Sequence, residues 1–339
     1  MPKVETPKIR FGIIGYGKMG KIRRKTISRR RDTEVAIIVE PTLDKDYTRA
    51  GCRYTRDVDE LFADSSLDAV MICAPNYLLK PLVIRSLKQG LHVFCEKPPG
   101  MSLSEIKAIR RIEKKHPKLM LKFGFNHRYH AAVIELKKQI DSGKFGKVIW
   151  MRGRYGKSVN EDFFTEWRAK KELAGGGILL DQGIHMLDLF LYICNDFEEV
   201  KSFCSNKYWQ ADIEDNAFII LRNKEGQQAS MHSTMTQWRH LFSFEVFLER
   251  GYMVINGFNT STQSYGTESL TIAVNRSEVP RATHTMEKEK IYKGDRSWNL
   301  ELKEFVEAIQ NKGSIQNGNS DDALKIMKLI DKIYADGFK

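Results

Sequence analysis

Asp181, His185 and Asp188 stand at i, i+4 and i+7 in residues 175–188, which read GGGILLDQGIHMLD. That spacing puts all three on one face of a helix. Their neighbours Ile178, Leu179, Leu180, Ile184, Met186, Leu187, Leu189 and Phe190 are apolar nearly all round, so the helix is expected to be buried. A carboxylate or imidazole in such surroundings must be hydrogen-bonded or put to use, because a buried charge without a partner is costly. An Asp/His pair that completes a core meets that demand, and so does one that exchanges protons with a ligand. The three preceding glycines favour the ligand, since they let the backbone bend and approach a bound molecule closely.

A second set opens the chain. Gly15, Gly17 and Gly20 form G-x-G-x-x-G between a β-branched run and a basic segment of helical character. Glycines so placed permit a tight turn and a close approach of backbone to a pyrophosphate, which then rests on a helix N-terminus. Gly15, Tyr16, Gly17, Lys18, Met19 and Gly20 are therefore expected to bind a dinucleotide. The same stretch fits G-x-x-x-x-G-K, but Ile22 stands where a nucleotide-hydrolysing loop needs a hydroxyl for magnesium, and dinucleotide binding is the better reading. Glu40 can accept hydrogen bonds from ribose hydroxyls and would repel a 2′-phosphate, so NAD is favoured over NADP, with Lys45 and Arg49 tempering the preference. Ala74, Pro75 and Asn76 follow a third strand-like run, and Glu96 and Lys97 a fourth, on the same cofactor edge. Lys97, set between a strand end and two prolines, is positioned rather than flexible and is a candidate for chemistry.

The elements that must hold these residues are legible as two patterns. Apolar runs at 9–14, 35–39, 69–73, 92–95 and 119–123 alternate with helical segments such as 78–88 and 102–116, the latter opened by a capping box of Ser102 and Glu105. This alternation predicts an α/β domain over 1–125 with a parallel, doubly wound sheet, whose ligands lie beyond the carboxyl ends of the strands. From about residue 147 strand-like stretches succeed one another at 147–155, 200–206, 216–222, 228–236, 242–248 and 252–256, which predicts a mostly antiparallel sheet covered on one face by the 178–192 helix. A domain over 126–319 follows, and the late helices are 300–311 and 321–334, the second capped by Ser320.

Composition narrows the class. With 339 residues, 42% hydrophobic and 29% charged, the chain is globular and long enough for two domains. Residues 1–10 are polar with two prolines and no apolar run approaches membrane-spanning length, so a cytoplasmic protein is expected. Five scattered cysteines, with no C-x-x-C, are expected to be reduced. The formal charge of +12 and the cluster at 21–31 invite nucleic acid, but no nucleic-acid motif accompanies them and a solvated basic helix face is the simpler reading. His127 and His130 at i, i+3 lack a third ligand nearby, so no metal is expected.

Together, the glycine fingerprint, the E-K-P at 96–98 and the G-G-G followed by D-x-x-x-H resemble the glucose-fructose oxidoreductase, inositol dehydrogenase and MocA family, over essentially the whole chain. The resemblance implies an N-terminal Rossmann domain, an open antiparallel sheet domain, and nicotinamide between them. It also implies that Lys97, Asp181 and His185 handle the reacting hydroxyl. In that role His185 takes the proton, Asp181 orients substrate or histidine, and Lys97 stabilises negative charge on oxygen. Lys97, Asn126, Arg128, Arg154, Trp167, Arg168, Asp181 and His185 are the candidate substrate contacts, their aromatic faces and bidentate donors suiting a polyhydroxylated ring, a carboxylate or a phosphate. The expected activity is NAD-dependent oxidation or reduction of a sugar, cyclitol or nucleotide-linked sugar. A redox-neutral NAD-dependent glycosidase is the second reading, and a non-catalytic NAD sensor the third. Residues 320–339 are expected to form a helix that packs back on the N-terminal domain. Phe218, Ile220, Phe244, Val246, Val254 and Ile255 are expected to leave an apolar sheet face open for a homodimer or homotetramer.

Overall fold

β-branched runs bounded by turn residues pair, in the first third of the chain, into a seven-stranded sheet. The computed structural model describes residues 7–260, 262–275 and 284–338; residues 1–6 of the polar amino-terminal stretch lie outside them. The first elements are β1 (Ile9–Ile14), α1 (Lys18–Ser28), β2 (Thr33–Val39), β3 (Tyr47–Arg49), β4 (Cys52–Thr55), α2 (Val58–Ala63), β5 (Ala69–Ile72), α3 (Asn76–Lys88), β6 (His92–Cys95), α4 (Leu103–Glu113) and β7 (Leu121–Phe123). The sheet order is β3-β4-β2-β1-β5-β6-β7, parallel except for the β3/β4 pair. β1 has β2 on one side and β5 on the other, so the strand order reverses beside it and a ligand crevice opens at its carboxyl end. Ser102 caps α4 through its side chain, as the capping box requires.

The remaining elements are α5 (Ala131–Asp141), β8 (Val148–Ser158), α6 (Lys171–Ala174), α7 (Ile184–Cys194), β9 (Glu199–Ser205), β10 (Asn216–Arg222), β11 (Gln228–Thr234), β12 (Thr236–Leu248), β13 (Gly251–Asn256), β14 (Ser269–Val274), β15 (Lys288–Ile291), α8 (Ser297–Gln310) and α9 (Ser320–Gly337). The eight later strands form one sheet, β15-β14-β13-β12-β8-β11-β10-β9, antiparallel throughout except where β11 runs parallel to β8. α7 covers one face: its Met186 lies so close to Gly153 on β8 that a Cβ there would meet the sulfur.

The chain forms two compact units, Met1–Phe125 with Trp298–Leu324, and Asn126–Ser297 with Lys325–Lys339. The expected domain over 126–319 is thereby corrected. Leu302, Phe305 and Val306 of α8 join Phe11, Ile13 and Phe94 in the core of the first unit, because the apolar stripe of α8 is matched there. The expected docking of residues 320–339 on the first domain is corrected as well. Only the start of α9 goes with the first unit, where Asp321 pairs with Arg110. Beyond it, Tyr334 donates to Glu214 and the Asp336 carboxylate accepts from the backbone N–H of Ser202, both in the second unit.

The second sheet sends successive side chains of each strand to opposite faces, and this corrects the expected open face. Phe244, Val246 and Ile255 are fully buried against the helix side, whereas Phe218 and Ile220 are 53% and 60% exposed. Phe203, opposite Phe218 on β9, is 80% exposed. The expectation that no segment is long and apolar enough to span a membrane is also corrected. Residues Lys171–Cys194 pass that test by length and composition, yet 72% of the window is buried inside the protein, as in a core helix.

Candidate active site

In the first unit the loops after β1, β2, β5 and β6 lie on one sheet edge, laced by backbone hydrogen bonds from Gly15 to Val39, Cys73 to Ile14 and Glu96 to Ile72. Gly15 has φ +89, and a Cβ on it would stand 2.6 Å from the Cys73 carbonyl oxygen, so only glycine closes this turn. Gly17, the N-cap of α1, makes no side-chain capping bond, and nothing lies within 4 Å of where its Cβ would be. The helix N-terminus therefore presents backbone N–H groups at an open position with no acidic residue in the first turn, which fits a pyrophosphate. Lys18 is exposed there, and Tyr16 and Met19 are half-buried. The Glu40 carboxylate, just past β2, accepts from the Tyr16 N–H at 2.7 Å and from Thr42. Burial pushes its pKa up, but those hydrogen bonds outweigh it and the group ends below its usual value, ionised and able to accept from a ribose. Ala74 and Pro75 form the turn between β5 and α3, which starts at Asn76. These residues fit NAD.

Lys97 follows β6 in a buried loop, half-exposed itself, beside a cis Lys97–Pro98 peptide. The cofactor contact expected of Glu96 is not what its side chain makes. It pairs at 2.6 Å with Arg23, which also binds Glu301 at 2.7 Å, and Arg23 and Glu301 are wholly buried. A guanidinium drawn into the core needs a charge partner and acceptors for its N–H groups, and Glu96 and Glu301 together provide them. Glu96 therefore anchors the loop that carries Lys97.

In the second unit, residues Leu179–Gly183 wind as a π-helix before α7. This wider turn, of a kind often found at functional sites, contains Asp181. The glycines before it serve a different approach from the one expected. A Cβ on Gly176 would strike the Tyr334 hydroxyl and one on Gly177 the backbone of Glu214. Glu214 caps the helix by accepting from the N–H groups of Gly177 and Leu179 at 2.8 and 3.0 Å. Burial raises its pKa despite these bonds.

Asp181, His185 and Asp188 then take different partners. Asp181 accepts from Lys157 Nζ at 2.7 Å. His185, 6% exposed, stacks on His127 with ring centroids 3.9 Å apart and planes 13° from parallel. Asp188 takes a bidentate grip from Arg128, at 2.6 and 2.9 Å, with both side chains buried and the guanidinium over Tyr192. Arg128, expected at the substrate, is instead a brace for α7: a buried carboxylate needs its charge matched. Asn126 donates to Ser297 through Nδ2 and accepts from His127 Nδ1–H through Oδ1 at 3.2 Å.

Arg154 is not on this side at all. Met151, Gly153, Tyr155 and Lys157 alternate inward along β8, so Arg152 and Arg154 project from the opposite face, where Arg152 binds Glu245. Trp167 and Arg168 stack on each other in a short 3-10 turn, with Arg168 bound to Glu166. Lys157 and Tyr265 are the residues that sequence reasoning missed. The first was findable, being two residues from Tyr155 and hence on the same face; Tyr265 accepts from Gln182 at 2.8 Å and lies 5.3 Å from the Tyr155 ring, and no local signal announces it. His130 pairs with Glu268 at 2.8 Å, and among the described residues no group of three or more His, Cys, Asp or Glu could hold a metal.

Comparison with known proteins agrees with this geometry. Residues 9–125 match the model of an oxidoreductase family with an NAD-binding Rossmann fold, and residues 133–254 match the GFO/IDH/MocA C-terminal domain. The chain is 27% identical to inositol 2-dehydrogenase of Rhizobium meliloti over 65% of its length and 67% of that protein's. It is 29% identical to myo-inositol 2-dehydrogenase of Thermotoga maritima, over 64% of its length and 66% of the relative's, so such alignments span about two thirds of the relatives. The fold is shared with the aldose-aldose oxidoreductase of Caulobacter crescentus, with a TM-score of 0.83, 22% identity and 98% of each chain covered. With both halves of the chain matched, the protein belongs to the GFO/IDH/MocA family of NAD-binding oxidoreductases.

Proposed function

We propose that the protein moves a hydride between NAD and a secondary hydroxyl or keto carbon of a sugar, cyclitol or nucleotide-linked sugar. The observation that carries this reading is the pairing of Asp181 with Lys157 one helical turn from a buried His185, a proton acceptor beside a charge-balanced hydrogen-bonding group. NAD, when bound, supplies the hydride acceptor. In oxidation, the hydroxyl proton passes to His185 while Lys97 stabilises the oxygen's developing negative charge and Asp181 orients the hydroxyl. In reduction the same groups return the proton. The relatives named as inositol dehydrogenases support a polyhydroxylated substrate.

The apolar patch of Phe203, Phe218 and Ile220 supports self-association through the open sheet face, as a homodimer or homotetramer. Five free cysteines support a reducing, cytoplasmic setting. The test is a panel of cyclitols, free sugars, sugar acids and nucleotide sugars, with NADH absorbance followed for the wild type and His185→Ala and with NAD binding measured separately. A substrate-dependent signal lost in the variant, with cofactor binding kept, is expected. Silence across the panel with NAD bound would turn the assignment toward redox-neutral chemistry, and failure to bind NAD would overturn it.

A further inference from the structure

His185 is held by a second imidazole. His127, also 6% exposed, lies flat against it at 3.9 Å, and the sides of His127 are closed by Tyr155 at 5.2 Å, Phe258 at 4.9 Å and His130 at 5.6 Å. Its own proton is placed by a chain of hydrogen bonds. Asn126 Nδ2 donates to Ser297 Oγ, which turns Asn126 Oδ1 toward His127 Nδ1 at 3.2 Å, and Ser297 in turn donates to Asp295 at 2.6 Å. An amide oxygen accepts, so Nδ1 of His127 carries a hydrogen in this network.

Two stacked imidazoles cannot both be cations at this distance, because like charges this close oppose each other's ionisation. One cation on one neutral ring is favourable, since the aromatic face attracts positive charge. The other titratable or charged groups around the pair within this unit are already matched. Asp181 faces Lys157, Asp188 faces Arg128, His130 faces Glu268, and Tyr155 lies against Tyr265. Burial keeps Tyr155 protonated by raising its pKa well above the usual value.

We propose that His127 is a positioning residue for His185, fixing the plane of its ring and stabilising the imidazolium formed when His185 accepts the substrate proton. The catalytic part of this inference rests on the dehydrogenase reading above; the effect on proton affinity does not. His127→Leu and His127→Phe in the full-length protein separate the two contributions. Both are apolar and comparable in bulk, and only Phe keeps an aromatic face on His185.

Titration of the His185 ring by NMR, assigned with His185→Ala, is the first readout. His127→Leu is expected to lower the midpoint by about one pH unit relative to His127→Phe, a tenfold loss of proton affinity. The acid limb of kcat/KM is expected to move down by the same interval in the Leu variant and to stay near wild type in the Phe variant. His127→Met serves as the non-aromatic replacement where Leu impairs folding. Equal midpoints in the Phe and non-aromatic variants would overturn the proposal. A wild type that turns over no substrate would overturn the dehydrogenase reading, while the NMR comparison would still decide whether the stack tunes His185.

Discussion

Replacing Glu301 by Gln should make the protein more stable at alkaline pH and flatten its pH dependence. Glu301 is wholly buried beside Arg23, and burial, only partly offset by Arg23 and Lys122, raises its carboxyl pKa from 4.5 to about 7. Below pH 4.5 the folded and unfolded chains both hold this proton and the group contributes no slope. Between 4.5 and about 7 the unfolded chain ionises while the folded one keeps the proton, so stability falls as pH rises. Above that window the full cost is present, on the order of 3 kcal/mol from about 1.4 kcal/mol per pH unit. Gln reproduces the protonated acid in shape, and Glu96 still balances the charge of Arg23 at 2.6 Å. Urea unfolding of wild type and Glu301→Gln at pH 5 and pH 8.5 measures the difference. Near-equality at pH 5 and a gain of roughly 2–3 kcal/mol for the variant at pH 8.5 are expected. A variant that loses more stability at pH 8.5 than at pH 5 would refute the reasoning, for it would mean that an ionised Glu301 is a net stabilising partner of Arg23.

Three further outcomes follow from the geometry. Asp188→Ala takes from the buried Arg128 its bidentate carboxylate and should destabilise the fold by about 3–5 kcal/mol in denaturant unfolding, whereas Arg128→Met combined with Asp188→Leu should recover most of the loss. Lys157→Met should lower kcat/KM by roughly 10- to 100-fold through the lost charged hydrogen bond to Asp181, with Lys157→Arg recovering part, as steady-state kinetics on the substrate found by the panel will show. Gly15→Ala must force a left-handed backbone and a contact with the Cys73 carbonyl, so NADH titration by fluorescence should show affinity reduced on the order of tenfold or more, while Gly17→Ala, with open space around its Cβ, should leave stability within about 1 kcal/mol.

What the sequence discloses is what local chemistry decides. The turn at Gly15 and the cap at Ser102 each depend on residues within a few positions, and both stand where their patterns place them. Five strands of the first sheet are equally legible as short β-branched runs, whereas β3 and β4, which follow β2 with no helix between them, are not. The return of α8 to the first unit is not, since an amphipathic face states that a helix must pack and says nothing of what it packs on. The same limit explains Phe244, Val246 and Ile255: alternation separates two faces but does not tell which one the covering helix takes.

The candidate site shows where that limit matters most for function. Asp181, His185 and Asp188 look alike in the sequence, three polar residues on an apolar helix, and their different uses come from distant partners. Arg128 is 60 residues from the Asp188 it neutralises, and Lys157 is 24 residues from Asp181. Arg128 and Arg154 offered the same guanidinium for substrate recognition, yet one is consumed by a buried charge and the other is carried to the opposite face by one step of strand alternation. Residue type therefore defines what chemistry a position can do, and burial with charge matching decides which positions remain available for it. On that argument Asp188 and Arg128 serve the fold, each neutralising the other's buried charge, and the proposed proton transfer rests instead on His185 with its stacked His127 and on Asp181 with Lys157.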